Sequence, residues 1–147
     1  MRTKYPSKSV TTQTIGNIGL YYACYILSLF GWNVLPTSRN TKGIDILLYS
    51  QDATRSLTIQ VKTLSKKGTV LLGNINDMMA QYYIIVVRNP VKPYCYIFTQ
   101  ENIRHFAVPQ KKDNNKYSFP INNELDCYLE NWKIIGNGVK RLKNEFT

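Results

Sequence analysis

The chain has 147 residues, with nineteen Lys and Arg against nine Asp and Glu, a formal net charge of +10 and a sequence pI near 9.6. That length suffices for one domain, expected over residues 1–147, to bury a core without disulfide or metal staples. Three widely separated cysteines (Cys24, Cys95 and Cys127) and a single histidine (His105) exclude a zinc ribbon and any His-based triad that needs partners nearby in the sequence.

Residues 1–11, "MRTKYPSKSVT", are basic and polar and are expected to form an arm. From Thr12 to Phe30, Ile15, Ile18, Ala23, Ile26, Leu27 and Phe30 are spaced for a helix that Gly31 stops. Gly16 and Gly19 weaken that helix, which suggests either a close neighbour or a frayed first turn. "WNVLP" is expected as a short strand, "TSRNTKG" as a polar loop, and "IDILLYS" and "SLTIQVKT" as an antiparallel hairpin around "QDATR". "LSKKGTV" is expected as a basic loop and "LLGNINDMMA" is ambiguous, with room for a helical turn.

"QYYIIVVR" and "YCYIFT" are apolar enough for central strands joined at "NPVKP". "TQENIRHFA" predicts a short helix capped by Thr99, with Glu101 in its first turn. "YSFPI" is expected as an edge strand, and Leu125, Tyr128, Leu129, Trp132 and Ile135 as one helical face. Residues 136–147 are expected to form a polar tail. The order predicts an α/β (α+β) layer fold with one mixed sheet. No apolar run spans a membrane and no secretion-signal layout opens the chain, so a cytoplasmic protein is expected.

The basic balance points to a phosphate-rich partner, the plain alternative being charge that serves solubility alone. The first 44 residues hold Arg2, Lys4, Lys8, Arg39 and Lys42 and no acid. The first acid is Asp45, one residue into an apolar run, and "QVK" (Gln60, Val61, Lys62) closes the next run. Residues two apart on a strand share a face, so Gln60 and Lys62 point one way and Val61 the other. The hairpin can return both beside Asp45. A carboxylate, an amide oxygen and the Val61 carbonyl are an all-oxygen set suited to Mg2+ or Mn2+, and Lys62 adds a cation. Such a group can orient a water and stabilise charge developing on a phosphodiester. The structural alternative is a strand-end acid and a lysine lying along a half-exposed strand.

An Asp on one strand followed by Gln-Val-Lys on the next, after a helix and the loop "RNTKGID", resembles the PD-(D/E)XK nuclease superfamily, which includes restriction endonucleases and Holliday-junction resolvases. The similarity spans about residues 12–99 and is strongest to small prokaryotic members. It implies a restriction-endonuclease-like core, a mixed sheet of about five strands flanked by helices in the order α-β-β-β-α-β. It also implies a metal-dependent endonuclease hydrolysing DNA phosphodiester bonds, on duplex or branched DNA. By the resemblance Asp45, Gln60 and Lys62 are catalytic, Asp45, Gln60 and Val61 hold Mg2+ or Mn2+, and Lys62 serves the attacking water.

This chain departs from the pattern at three places. Ile44 stands where a proline is common, Gln60 is neutral, and neither Asn17 nor Leu20 supplies the acid that many members carry on the first helix. The alternative is therefore a catalytically inactive nucleic-acid-binding protein of the same fold. Arg39, Lys42, Lys66 and Lys67 are candidate phosphate contacts, and a homodimer is the expected arrangement for cutting two strands with one site per chain. The tyrosines of the strong strands, Tyr82, Tyr83, Tyr94 and Tyr96, are expected to pack in the sheet, not to stack on bases.

Overall fold

Thr11 opens the first helix: its side chain accepts from the Thr14 N–H at 3.2 Å, and α1 runs over Thr12–Leu29. In the computed structural model, which describes residues 5–6, 10–38, 42–89 and 91–139, this helix buries Gly19, Ala23 and Leu27, one residue per turn. Gly31, at φ +83°, ends it in the left-handed region that favours glycine.

The strands β1 (Asn33–Pro36), β2 (Ile46–Tyr49) and β3 (Ser56–Leu64) form an antiparallel meander. After β4 (Thr69–Leu72) and one 3-10 turn at Ile75–Asp77, β5 (Tyr82–Val87) inserts parallel to β3, and β6 (Tyr94–Thr99) pairs antiparallel with β5. The resulting mixed sheet has the order β1-β2-β3-β5-β6. The expected five-strand core is thus present; where a helix was expected after the third strand, the chain makes β4 and a single turn. The helix α2 (Gln100–Phe106) follows β6, with a reciprocal cap between Thr99 and Asn102.

Two cores lie on the two faces of this sheet. Beneath α1, Ala23 and Leu27 pack with Ile46, Leu48, Ile59, Ile84, Val86, Cys95 and Ile97. On the second face Tyr83, Ile85, Val87, Tyr96 and Phe98 are covered by α2 and by a smaller sheet, β4-β8-β7, formed with β7 (Val108–Pro109) and β8 (Tyr117–Pro120). That cover stops short of β1 and β2, where Leu47 and Tyr49 remain 39% and 37% exposed. The second face is therefore closed over β5 and β6 and open over the meander.

Four expectations need correction. Part of the basic loop is β4, because Val70 and Leu72 bury against the second core. The segment "YSFP" is the central strand of the small sheet; its proline is tolerated because it stands last. The helical face over 125–135 is instead two 3-10 turns, Asn123–Tyr128 and Trp132–Ile134. Glu130 breaks the run at φ +53°: its N–H donates to the Cys95 carbonyl at 2.7 Å, and its carboxylate accepts from Cys95 N–H and from Trp132 Nε1. An edge strand in need of partners competes with a helix there and wins. Of the expected polar tail, Gly138 is buried, its N–H donating to the Phe30 carbonyl and its carbonyl accepting from the Gln51 N–H, while residues 140–147 lie outside the described residues. Of the arm, the Pro6 carbonyl accepts from Arg88.

Gly19 seats α1 on β3. A Cβ there would collide with the Thr63 hydroxyl and fall 2.9 Å from both Thr63 Cβ and Cγ2, so no rotamer escapes it. Gly16, by contrast, faces open space. Alanine stabilises a helix interior by about 1 kcal/mol over glycine, so the two sites should diverge. We expect Gly16→Ala to raise the melting temperature and Gly19→Ala to lower it, with partial recovery in Gly19→Ala/Thr63→Ala, read by thermal denaturation.

Candidate functional site

Asp45 sits where the meander comes apart. Its N–H donates to the Ile59 carbonyl at 2.8 Å and its carbonyl accepts from Thr37 N–H at 2.9 Å, while the Thr37 hydroxyl donates to the Ile44 carbonyl. Gly43, at φ +78°, brings the chain into this position with its backbone against Met79. The register pairs Ile46 with Ile59, so the next pair outward is Asp45 and Gln60. There the backbone ladder ends, and Asp45 Oδ2 accepts from the Val61 N–H at 2.8 Å. The carboxylate takes the place of a strand partner, in the plane of the sheet. A residue's N–H and C=O leave a strand on the same edge, so the Val61 carbonyl faces the same gap.

On the α1 side this gap widens into a cleft of about 250 Å3, whose walls include Gln13, Asn17, Leu20, Thr37, Asp45 and Val61. Gln60 and Lys62 lie on the other face of β3, both half-buried, opposite Tyr83 and Ile85 of β5 in register. Asp45 and Val61 are thus joined directly, Gln60 is beside Asp45 by register, and Lys62 follows on Gln60's face. Asn17 and Leu20, the helix positions without an acid, do face Asp45 across the cleft. Gln13 escaped the sequence reading, although its spacing of four and seven from Asn17 and Leu20 marks one helical face.

No family model matches the sequence, and no curated protein matches it. Among solved structures the chain is similar to the bacterial homing endonuclease I-Ssp6803I, with 17% identity over 86% of this chain and 92% of that one, at a TM-score of 0.62. It is also similar to Hjc, a Holliday junction resolvase from the archaeal hyperthermophile Archaeoglobus fulgidus, with 12% identity over 75% and 85% of the two chains and a TM-score of 0.50. This chain has the restriction-endonuclease-like fold.

Within the restriction-endonuclease-like fold, the candidate metal ligands are a carboxylate, a peptide carbonyl and a side-chain amide. Among the described residues no group of three His, Cys, Asp or Glu clusters. An all-oxygen set with one carboxylate fits a hard divalent cation that keeps most of its waters. Lys42 is exposed two residues before Ile44, and Lys66 and Lys67 are exposed after β3, with Lys67 Nζ donating to Asn123 Oδ1 at 3.1 Å. Arg39 lies outside the described residues.

Tyr83, beside Gln60, was expected only to pack. Its ring does so, at 0% exposure, yet its hydroxyl has no hydrogen-bond partner among the described residues. Burial pushes the phenol's pKa up, the nearby Ala80 backbone and Arg104 oppose this, and the Asp45 charge adds to it. A hydroxyl buried without a partner costs about 1–3 kcal/mol.

The bond from Val61 to Asp45 separates the structural role of this acid from its charge. Asparagine can still accept from the Val61 N–H through its amide oxygen, whereas alanine leaves that donor bare. Thermal denaturation should find Asp45→Asn within a few degrees of wild type and Asp45→Ala clearly lower, by an amount matching about 1.5–3 kcal/mol for a charge-assisted bond.

Proposed function

We propose that this protein is a metal-dependent endonuclease that hydrolyses DNA phosphodiester bonds. The observation that carries the reading is the Asp45 carboxylate held by the Val61 N–H at the mouth of the β2–β3 gap, with Gln60 and Lys62 flanking Val61 on β3. The fold it shares with a homing endonuclease and a junction resolvase, and the +10 charge, support DNA as the partner.

Asp45, Gln60 and the Val61 carbonyl would hold Mg2+ or Mn2+. When bound, such an ion supplies Lewis acidity toward the phosphodiester. The Val61 N–H holds one Asp45 oxygen, Oδ2, and the other would serve the ion. Lys62, a fixed positive charge on Gln60's face, orients the attacking water and stabilises charge growing on the phosphate. Lys42, Lys66, Lys67 and Arg39 would grip the backbone on either side. With one carboxylate in a basic protein, these residues would hold the ion weakly until DNA phosphate added its own charge, so that metal and DNA binding would reinforce each other. A homodimer would place two such sites on two strands. Among the described residues no helix is long and apolar enough to cross a membrane, and a cytoplasmic location is part of the proposal.

A second reading, a silent DNA-binding protein, is favoured by one observation: Gln13, Asn17 and Leu20 bring no second carboxylate to the cleft.

Nicking of supercoiled plasmid should appear with Mn2+ or Mg2+, vanish with EDTA, and fall about 10²-fold or more in Lys62→Ala, the range for removing a transition-state charge partner. DNA affinity of that variant should stay within severalfold. No nicking with either ion, but binding that weakens at about −0.9 per neutralised phosphate in log K against log salt, selects the silent binder; salt-independent binding removes both readings.

Restoring a carboxylate at the helix position should also tell. Asn17→Glu should lower the Mg2+ concentration needed for half-maximal nicking, measured by metal titration at fixed DNA; an unchanged or higher requirement removes Asn17 from the metal's surroundings.

A further inference from the structure

The Tyr83 hydroxyl is the buried side-chain polar atom that finds no hydrogen-bond partner among the described residues; its ring lies in an aromatic cluster, with the Ala80 backbone, Arg104 and Asp45 near the hydroxyl. Phe98, the next residue across the sheet from Tyr83, packs with Phe119 and Tyr128 at ring-centroid distances of 5.6 and 4.8 Å. Phenylalanine at position 83 would fill the same space and strand no hydroxyl. The register puts Tyr83 directly opposite Gln60 on a parallel strand about 4.8 Å away, side chains on the same face. Gln60 is half-buried and its amide makes no hydrogen bond among the described residues. Two neighbouring polar groups are thus both unspent.

Gln60 also poses a chemical problem that a glutamate in its place would not. Its amide ends in one oxygen and one NH2, and only the oxygen can hold a cation. An acceptor is needed to hold the NH2 and turn the oxygen toward Asp45. A phenol oxygen can accept such a bond while its own proton is directed elsewhere.

We propose that Tyr83 is a positioning residue: in the metal-bound site its hydroxyl oxygen would accept from the Gln60 amide NH2, a bond neither group makes in this structure, and would hold the carbonyl oxygen of Gln60 toward Asp45. The inference rests on the metal-site reading above and deepens it. It assigns Tyr83 no contact with DNA or with the ion. Because a carboxylate carries oxygen at both ends, a glutamate at position 60 needs no such orientation.

The test is a double-variant cycle of Tyr83→Phe and Gln60→Glu, with three readouts: melting temperature, Mn2+ affinity by calorimetry with a duplex oligonucleotide present, and plasmid nicking. Tyr83→Phe should keep or raise the melting temperature yet weaken Mn2+ binding and nicking by about tenfold or more, as loss of a partner that orients a metal ligand does. In the Gln60→Glu background the same change should alter either readout by less than about twofold. Equal losses in both backgrounds, or no loss with Gln60 present, overturn the assignment while leaving the nuclease reading intact. A wild type that neither binds Mn2+ nor nicks DNA overturns both.

Discussion

The hydrogen bond from the Val61 N–H to the Asp45 carboxylate lets two strands separate inside a sheet without leaving a bare donor. A ladder that simply ended there would expose the Val61 N–H in the interior of the meander. With the carboxylate in place, β2 can leave β3 at Asp45 and open the gap that becomes the cleft. The loop before it is held in the same spirit, by the paired bonds of Thr37 to Ile44 and Asp45 and by Gly43 pressed on Met79. The Gly19 contact with Thr63 then sets the height of α1 over β3, and so the distance from Asn17 and Gln13 to the carboxylate.

The sheet is used asymmetrically. One face is covered by α1, apolar beneath Ala23 and Leu27 and polar at the cleft near Gln13 and Asn17. The other is covered only where β5 and β6 lie under α2 and the small sheet, and Gln60 and Lys62 sit on β3 at the border between covered and open halves. At that border Gln60 and Lys62 are half-buried, which strengthens charge interactions there. Glu130 does comparable work at the far edge, where its carboxylate and backbone close off β6 at Cys95.

Under the nuclease reading, the amide character of the site is its defining property. Gln13 and Asn17 line the cleft with Asp45, and Gln60 is its register neighbour on the other face of β3, so the protein itself contributes little negative charge to a cation. The substrate's phosphates must then supply what the side chains do not. Such a site discriminates against ion binding in the absence of DNA, and it demands correct orientation of each amide, a demand that carboxylates do not make.

Much of the architecture was legible in the residues. Apolar alternation in "IDILLYS", the continuous run "YYIIVV", the Thr99 cap and Gly31 as a helix stop each reflect short-range rules of period, burial and backbone freedom, and each appears where expected. The facing of Gln60 and Lys62 against Val61 follows from the period of a strand alone. Other features were decided only in three dimensions. The helical spacing of Leu125 to Ile135 yielded to the unpaired edge of β6, and Val70 and Leu72 formed a strand because β8 lay free to pair with them. Gln13 joined the cleft because α1 seats on β3 at Gly19 and Thr63, and the Tyr83 hydroxyl was left unpartnered beside Gln60 because β5 docks parallel to β3 in one register. Periodicity tells which side of a strand a residue occupies; which residue stands next to it across the sheet is set by pairing between distant segments, and local sequence carries no record of that choice.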